Sequence, residues 1–489
     1  MSIHHLDRLN LARQYILSPQ ETYLPPNWHS CSLKGLYLAT HPWLPLLSIY
    51  TNCESLVGWL LGWPITNEGK IPSESLTLAL NKKHLLIPVQ SGETAFEQAI
   101  YTLGGRWIAI LVTADEQRLY LDPCGSQATV YCPLLKIASA TTALIPYRSN
   151  VQYNQELVST LSPEQTDGWY PFGLTPRRNC YRLLPNHFLD LQTWQAHRHW
   201  PNSNLVSHSD RTGAVQVTAQ RIKQAVSAAV ATQKVQASLT AGMDTRLILA
   251  CSRSHIDRIQ YHTREGFDDY VAQDIRVATR LARRFHLKHE VIAQSSSTIA
   301  TEEELENWQE RVGRCVAGVA WKTHKMVDYY QQPSFTLTGS AGEIARAFYW
   351  KNTDSSETDL TPERILKCLR LPKTRDIERS AQAWLDSLTV SDSLVILDLL
   401  YLEQRVGCYL SPNRYGFISP AVLLLPLNHR EIIQAMLGLP SFYKRENRLH
   451  IDVIKQEWPE LLAIPFNGNR VIVRLKRNVF TSLKQSFKR

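Results

Sequence analysis

Hydrophobic and polar positions divide the chain into two textures. Between about residues 35 and 145, short apolar or alternating runs (KGLYLAT, RWIAILVTA, RLYLD, TVYCPLL) are separated by Gly, Asp, Asn and Pro, the pattern of strands joined by turns. This predicts a strand-rich layer with a few helices. Residues 175–200 read as irregular, and Pro201 followed by the polar NSNLVSHSD reads as a linker, which puts a domain boundary near 201–212. Beyond it the period lengthens. Residues 215–235 carry apolar side chains at helical spacing, 234–239 form a short apolar strand, and TAGMDT then leads into a second helical pattern, RLILACSRS. A strand at 258–262, a helix at 270–285, a strand at 289–293, a long helix at 302–330 and a strand at 334–338 continue the alternation, which predicts a parallel α/β sheet. After about 355 the pattern is mostly helical up to a basic end, RLKRNVFTSLKQSFKR, with no repeat or low-complexity tract.

Composition narrows this picture. At about 100 to 200 residues per domain, 489 residues predict two or three domains, and the textures favour two, 1–205 and 206–489. Hydrophobic content of 44% and charged content of 20% exclude wholesale disorder, collagen-like repeats and coiled coils. The net charge of +9 is modest for this length and fits an anionic ligand as well as a nucleic acid. Nine scattered cysteines without zinc-type spacing read as reduced thiols of a cytoplasmic protein. The first residues lack the apolar core of a secretory signal. No run approaches the roughly 20 apolar residues needed to span a bilayer, so neither export nor a membrane partner is expected.

The candidate chemistry lies in two small-residue turns. In Ser238-Leu239-Thr240-Ala241-Gly242-Met243-Asp244-Thr245, the small residues permit a tight turn whose amides, with the amino end of the next helix, can face an anion. Thr240 and Thr245 add hydroxyl donors, and Asp244 suits a magnesium ion bridging phosphates. The plainer alternative is a strand-to-helix turn whose Thr and Asp cap a helix. The second string, Thr338-Gly339-Ser340-Ala341-Gly342-Glu343, again follows an apolar strand and opens a predicted helix, IARAFYW. It puts a second carboxylate at the same edge of the proposed sheet, where open α/β folds bind ligands. Asp244 and Glu343 together form a candidate magnesium site; the alternative for Glu343 is support of a helix amino terminus.

These strings resemble a known family. SLTAGMDTR looks like the pyrophosphate loop, usually SGGxDS, of the asparagine synthetase, β-lactam synthetase and lasso-peptide cyclase family, and TGSAGEIARAFY looks like its GxGxDE turn. The stretch QYHTREGFDDYVAQDIRVATRLARRFHLKHEVI has the family's strand, acid-bearing helix and strand, and PLNHREIIQAMLGLP resembles its PFLDHRxxxxxLxLP segment. More weakly, LGGRWIAILVTADEQRLYLDPCGSQATVYC is similar to the core of its glutamine amidotransferase domain. That chemistry requires an amino-terminal cysteine, whereas Ser2 follows Met1 here, and Cys31 would become terminal only after loss of 30 residues. The expected fold is therefore α/β: a degenerate Ntn-type αββα sandwich without glutaminase activity, followed by a pyrophosphate-loop parallel-sheet domain with helical additions.

The resemblance implies an enzyme that uses ATP and magnesium to activate a small-molecule or peptide carboxylate as an acyl-adenylate for attack by an amine or ammonia. Residues Ser238, Leu239, Thr240, Ala241, Gly242, Asp244 and Thr245 would cradle pyrophosphate, Asp244 and Glu343 would hold magnesium, and the backbone near His262, Thr263, Thr338 and Gly339 would contact adenosine. Arg470 or Lys476 would supply a late positive charge, with a solvated basic tail as the alternative. The family's LEVRxPFLD acid has no counterpart, because residues 420–426 read PAVLLLP. Glu403, with Arg405, is the substitute for the missing catalytic base, against the alternative of a structural ion pair. The partners so implied are the two substrates, with a homo-oligomer or a leader-peptide or protease partner compatible with the family. An ammonia-dependent asparagine synthetase and a noncatalytic ATP-binding scaffold are the competing readings; a tRNA-modifying pyrophosphate-loop enzyme is disfavoured, and a nucleic-acid partner with it, because neither a reactive cysteine pair nor an RNA-binding appendage is evident.

Overall fold

The computed structural model describes residues 9–21, 25–78, 94–146, 150–162, 168–202, 210–265, 269–293, 300–317 and 332–466. The amino-terminal region contributes β1 (Tyr15–Ser18), β2 (His29–Leu33), β3 (Leu36–Thr40), β4 (Leu46–Thr51), β5 (Leu56–Ile65) and β6 (Ser75–Leu78). Helix α1 (Ala95–Tyr101) precedes β7 (Gly104–Val112), β8 (Gln117–Leu121), β9 (Val130–Cys132) and β10 (Ile137–Ser139). After α2 (Gln155–Thr160) come β11 (Tyr181–Arg182), β12 (His187–Asp190) and β13 (Ala196–Arg198). The stretch expected to be irregular, 175–200, thus supplies three short strands. These strands are only two to four residues long, and β11 and β12 pair with β9 and β8, remote in sequence, so no local alternation marked them.

The strands form two sheets, ordered β11-β9-β10-β1-β3-β2 and β13-β12-β8-β7-β5-β4-β6. They share a core in which Tyr15, Leu17, Leu36 and Leu38 of one meet Trp59, Leu61, Ile108 and Ile110 of the other. Successive strand residues point to opposite faces, so Trp107, Ala109 and Leu111 of β7 face the other way, onto Phe96 and Ile100 of α1. Both faces of β7 are covered, which explains its unbroken apolar run.

The second region begins with α3 (Arg211–Thr232) and β14 (Lys234–Ser238), followed by α4 (Met243–Cys251), β15 (Ile259–Arg264), α5 (Asp269–Phe285), β16 (His289–Ile292), α6 (Glu302–Arg311) and β17 (Ser334–Leu337). Helices α7 (Pro362–Leu369), α8 (Arg375–Asp386) and α9 (Ser393–Leu400) lead into a π-helix, Tyr401–Leu410. Strand β18 (Ala421–Leu424) and helices α10 (Arg430–Leu437), α11 (Ser441–Arg445) and α12 (Arg448–Glu457) follow. Strands β14 to β18 build a parallel sheet of order β16-β15-β14-β17-β18. The α/β alternation is therefore present, and β18 adds an edge strand within a stretch expected to be mostly helical. Helix α12 packs on both α3 and α4, which brings a late segment over the first crossover. Among the described residues no helix is long and apolar enough to cross a membrane.

Two expected helices are shorter than their sequence patterns. The pattern at 302–330 gives a helix only to Arg311, and residues 318–330 lie outside the described residues. Gly313 and Arg314 turn the chain with φ of 60° and 56°, and Val316 pairs with Trp169. A Cβ at Gly313 would strike Thr142, whose hydroxyl donates to the Gly313 carbonyl at 2.6 Å. Contact with the amino-terminal region thus overrides helical periodicity. IARAFYW likewise forms only a five-residue 3-10 turn, Gly342–Arg346, flanked by Ala341 and Ala347 in the left-handed region.

Candidate functional site

The strand order reverses between β14 and β17. One crossover leaves β14 toward β15 while β17 lies on its other side, so the loops after β14 and β17 open beside one another at the carboxyl edge, the usual place for a ligand crevice. Both small-residue turns singled out by sequence occupy these loops.

In the first loop, Leu239 is held by its N–H to the His262 carbonyl at 2.8 Å. The Thr240 and Thr245 hydroxyls pair at 2.9 Å, and the Thr240 hydroxyl accepts from the Gly242 N–H at 3.0 Å. The Ala241 N–H donates to Asp274 on α5 at 2.9 Å. Helix α4 then begins at Met243, preceded by Gly242, which offers no side-chain cap and leaves the helix's amino end open toward the crevice.

Asp244, in the first turn of α4, touches the second loop. A Cβ on Gly339 would sit 2.5 Å from the Asp244 Cβ, and one on Gly342 would sit 3.0 Å from His450 Nε2 and strike Asp244 Oδ1. Glycine is therefore required at both positions for the loops to interlock. Arg346 donates to Asp244 Oδ2 at 2.6 Å, and His450 on α12 pairs with Oδ1 at 2.9 Å. Burial opposes ionisation of this carboxyl, but His450 and Arg346 outweigh it and bring the pKa down to about 2. Asp244 is thus an anion held by the Arg346 guanidinium and a hydrogen bond with His450.

Glu343 lies in the 3-10 turn close enough to feel that anion. Burial, then the Asp244 charge, pushes its pKa up against a hydrogen bond from Tyr401, and its buried Oε2 has no partner among the described residues. Two neighbouring carboxylates, one with an orphaned oxygen, make a donor set suited to magnesium, which takes one or two carboxylates and completes its shell with phosphates and water. No larger group of His, Cys, Asp and Glu able to hold a metal occurs among the described residues.

The remaining expected contacts line the same edge. His262 and Thr263 end β15, with Ser238 Oγ 3.3 Å from His262 Nε2 and the Thr263 hydroxyl donating to the Leu239 carbonyl at 2.6 Å. Burial, then Arg264 and His289, lowers the His262 pKa to about 3 and keeps the ring neutral. Thr338 pairs with Ser340 through their hydroxyls at 2.8 Å, and Gly339 follows. Arg470 and Lys476 lie outside the described residues.

Glu403 corrects an expectation. It is fully buried and accepts from Arg198 Nη1 at 2.6 Å, Arg198 Nη2 at 2.8 Å, Asn186 at 2.8 Å and Trp384 at 2.7 Å. A base must offer an oxygen to its substrate, and both oxygens here are spent on joining the π-helix to the amino-terminal region. It is a structural ion pair, and Arg405 stacks on Tyr409 at 4.0 Å.

Sequence reasoning passed over Arg346, Asp274 and His450. The first lies within a quoted string and the second in the acid-bearing helix, so both were within reach. His450 had no local signal, because only the packing of α12 on α4 delivers it. No protein-family model matches this chain, and no curated protein matches it in sequence.

Proposed function

We propose that this protein is an ATP-dependent carbon–nitrogen ligase that adenylates a substrate carboxylate for attack by an amine or ammonia, without glutamine hydrolysis. In this reading the parallel sheet and its helices are an asparagine synthase-type pyrophosphate-loop domain, and the facing antiparallel sheets are a degenerate Ntn-type sandwich. The observation that carries it is the meeting of the 240–245 and 339–343 loops at the strand-order reversal, with Asp244 and Glu343 in electrostatic reach of each other.

The substrate carboxylate attacks the α-phosphorus of ATP, the α–β phosphoanhydride bond breaks, and pyrophosphate departs. The amine nitrogen then attacks the acyl carbon, loses its proton and expels AMP. Two anions must approach in the first step, so fixed positive charge and oriented amides matter most. Thr240, Thr245 and the uncapped start of α4 would receive the departing pyrophosphate, with Arg346 beside them as a cation. Asp244 and Glu343 would hold magnesium, Oε2 of Glu343 being the atom that lacks a partner among the described residues; bound there, the ion would neutralise phosphate charge. His262, Thr263, Thr338 and Gly339 would form the adenosine side. A peptide or specialised-metabolite carboxylate is the favoured acyl donor, with aspartate the alternative.

One observation favours a noncatalytic ATP-binding scaffold instead: both oxygens of Asp244 are already engaged by Arg346 and His450. Incubation with ATP, magnesium and a pool of carboxylates separates the two. A ligase forms AMP, and substrate-dependent exchange of pyrophosphate into ATP falls at least about a hundredfold in Asp244→Ala with its circular dichroism retained. Formation of ADP, or exchange untouched by the substitution, would sink the assignment.

A further inference from the structure

Two buried thiols face each other across the end of the six-stranded sheet. Tyr131 of β9 pairs with Tyr181 of β11, and Val130 with Arg182, in antiparallel register, so one step further along the same register Cys132 lies opposite Cys180. Backbone hydrogen bonds fix which kind of pair this is. The Leu183 N–H donates to the Thr129 carbonyl at 3.0 Å, whereas the Arg182 N–H turns away to the Gly173 carbonyl at 2.8 Å. Hydrogen-bonded and non-hydrogen-bonded pairs alternate along an antiparallel ladder. Cys180 and Cys132, two steps from Arg182 and Val130, therefore form a non-hydrogen-bonded pair, and the backbone of Cys180 is engaged elsewhere: its N–H donates to the Arg177 carbonyl at 3.4 Å and its carbonyl accepts from the Thr175 hydroxyl at 2.8 Å. Opposed Cα atoms at such a site stand about 4.5 Å apart with their side chains close, inside the range of roughly 4.4 to 6.8 Å that a disulfide bridges.

The two sulfurs are in contact and differ in character. A hydrogen bond from the Cys180 thiol, helped by the Leu135 and Leu134 amides and by Arg177, outweighs burial and brings the Cys132 pKa down to about 7; the same bond, then burial, pushes Cys180 up. Arg177 is itself buried and gives its guanidinium to the carbonyls of Thr142, Ile145, Pro146 and Val151, which fixes its positive charge beside the pair. One thiol is set to ionise while its neighbour keeps its proton, the division between an attacking and a resolving cysteine. Both are buried, at 0% and 2% exposure, under a thin cover: the turn that follows Cys132 carries Leu134 at 55% exposure, and Arg178 and Asn179, just before Cys180, are exposed. Cys315 packs in the same buried cluster, with its Sγ 3.7 Å from the Thr142 hydroxyl.

We propose that Cys132 and Cys180 form a modification site, oxidised by a hydroperoxide to a reversible cross-strand disulfide. The Cys132 thiolate attacks one peroxide oxygen, the O–O bond breaks, and the departing hydroxide or alkoxide takes up a proton, leaving Cys132 as a sulfenic acid. The Cys180 thiol then loses its proton as its sulfur attacks the Cys132 sulfur; the S–S bond forms, the S–O bond breaks and water leaves. The two sulfurs give up two electrons and the peroxide accepts them, and exchange with a small thiol reverses the link. Closed, the bond staples the two-residue edge strand β11 to β9. The inference stands apart from the ATP reading, since it uses neither Asp244 nor Glu343.

The test treats the folded full chain with hydrogen peroxide, stops the reaction with catalase, blocks remaining thiols with N-ethylmaleimide in denaturant, and maps a non-reducing digest by mass spectrometry. A peptide linking Cys132 to Cys180, lost on treatment with dithiothreitol, is expected. Cys180→Ser should abolish the link and raise the sulfenic acid trapped at Cys132 by dimedone at least about tenfold, because the resolving thiol is gone. If that variant does not fold, the wild-type map decides alone. The proposal is overturned by absence of the linked peptide while the exposed Cys53 is oxidised in the same sample, by a Cys180–Cys315 link in its place, or by a link that forms as fast in urea as in the folded chain.

Discussion

Asp244 and Glu403 are two acids in the same region of the chain, each paired with an arginine, and their surroundings set them apart. Glu403 has no exposed side-chain surface and four N–H donors on its two oxygens. Asp244 retains 18% exposure, stands at the open edge of the parallel sheet, and lies against Glu343, whose Oε2 is unpaired among the described residues. A saturated buried pair joins parts of a fold, whereas an anion beside an unsatisfied carboxylate at a strand-order reversal is equipped to exchange partners with a ligand. Charge type alone does not distinguish them. Donor count and access do.

The comparison breaks first at the junction. Arg198→Met leaves Glu403 buried without its cation, and urea unfolding should register a loss of about 3 to 5 kcal/mol, largely restored when Glu403→Gln is added. A loss below about 1 kcal/mol would mean that the pair contributes little. A smaller effect is expected at the sheet edge. Folding depresses the Asp244 pKa from 3.8 to about 2, so its contribution is complete above the unfolded value and disappears as pH falls through the folded one. Relative to Asp244→Asn, the wild-type chain should therefore lose about 2 kcal/mol between pH 4 and 2. Parallel stability curves for the two proteins over that window would refute the ion-pair account. The smallest change concerns Thr245→Val, which keeps shape but removes the hydroxyl bonded to Thr240. Stability should drop by about 1 kcal/mol, and pyrophosphate exchange should fall more than that loss explains.

Much of the fold was legible locally. The alternation from β14 to β17 follows from hydrophobic period, and the small residues of TAGMDT and TGSAGE announced tight turns at strand ends. The three strands between 181 and 198 were not legible, since each is too short to show a period, and the pairing that anchors them runs from β11 to β9 and from β12 to β8, with β13 added on β12. Glu403 was misread for a related reason: its partners Arg198 and Asn186 are more than 200 positions away.

The sequence by itself determined which loops would be tight, that they carry hydroxyls and carboxylates, and that strands would alternate with helices, because these follow from residue type, backbone freedom and side-chain period over a few residues. Only the tertiary structure decided that Asp244 meets Glu343, that Arg346 and His450 clamp it, and that Glu403 is sealed. Each of these depends on burial and on contacts between distant segments, which set the strength of a charge and which no local pattern encodes.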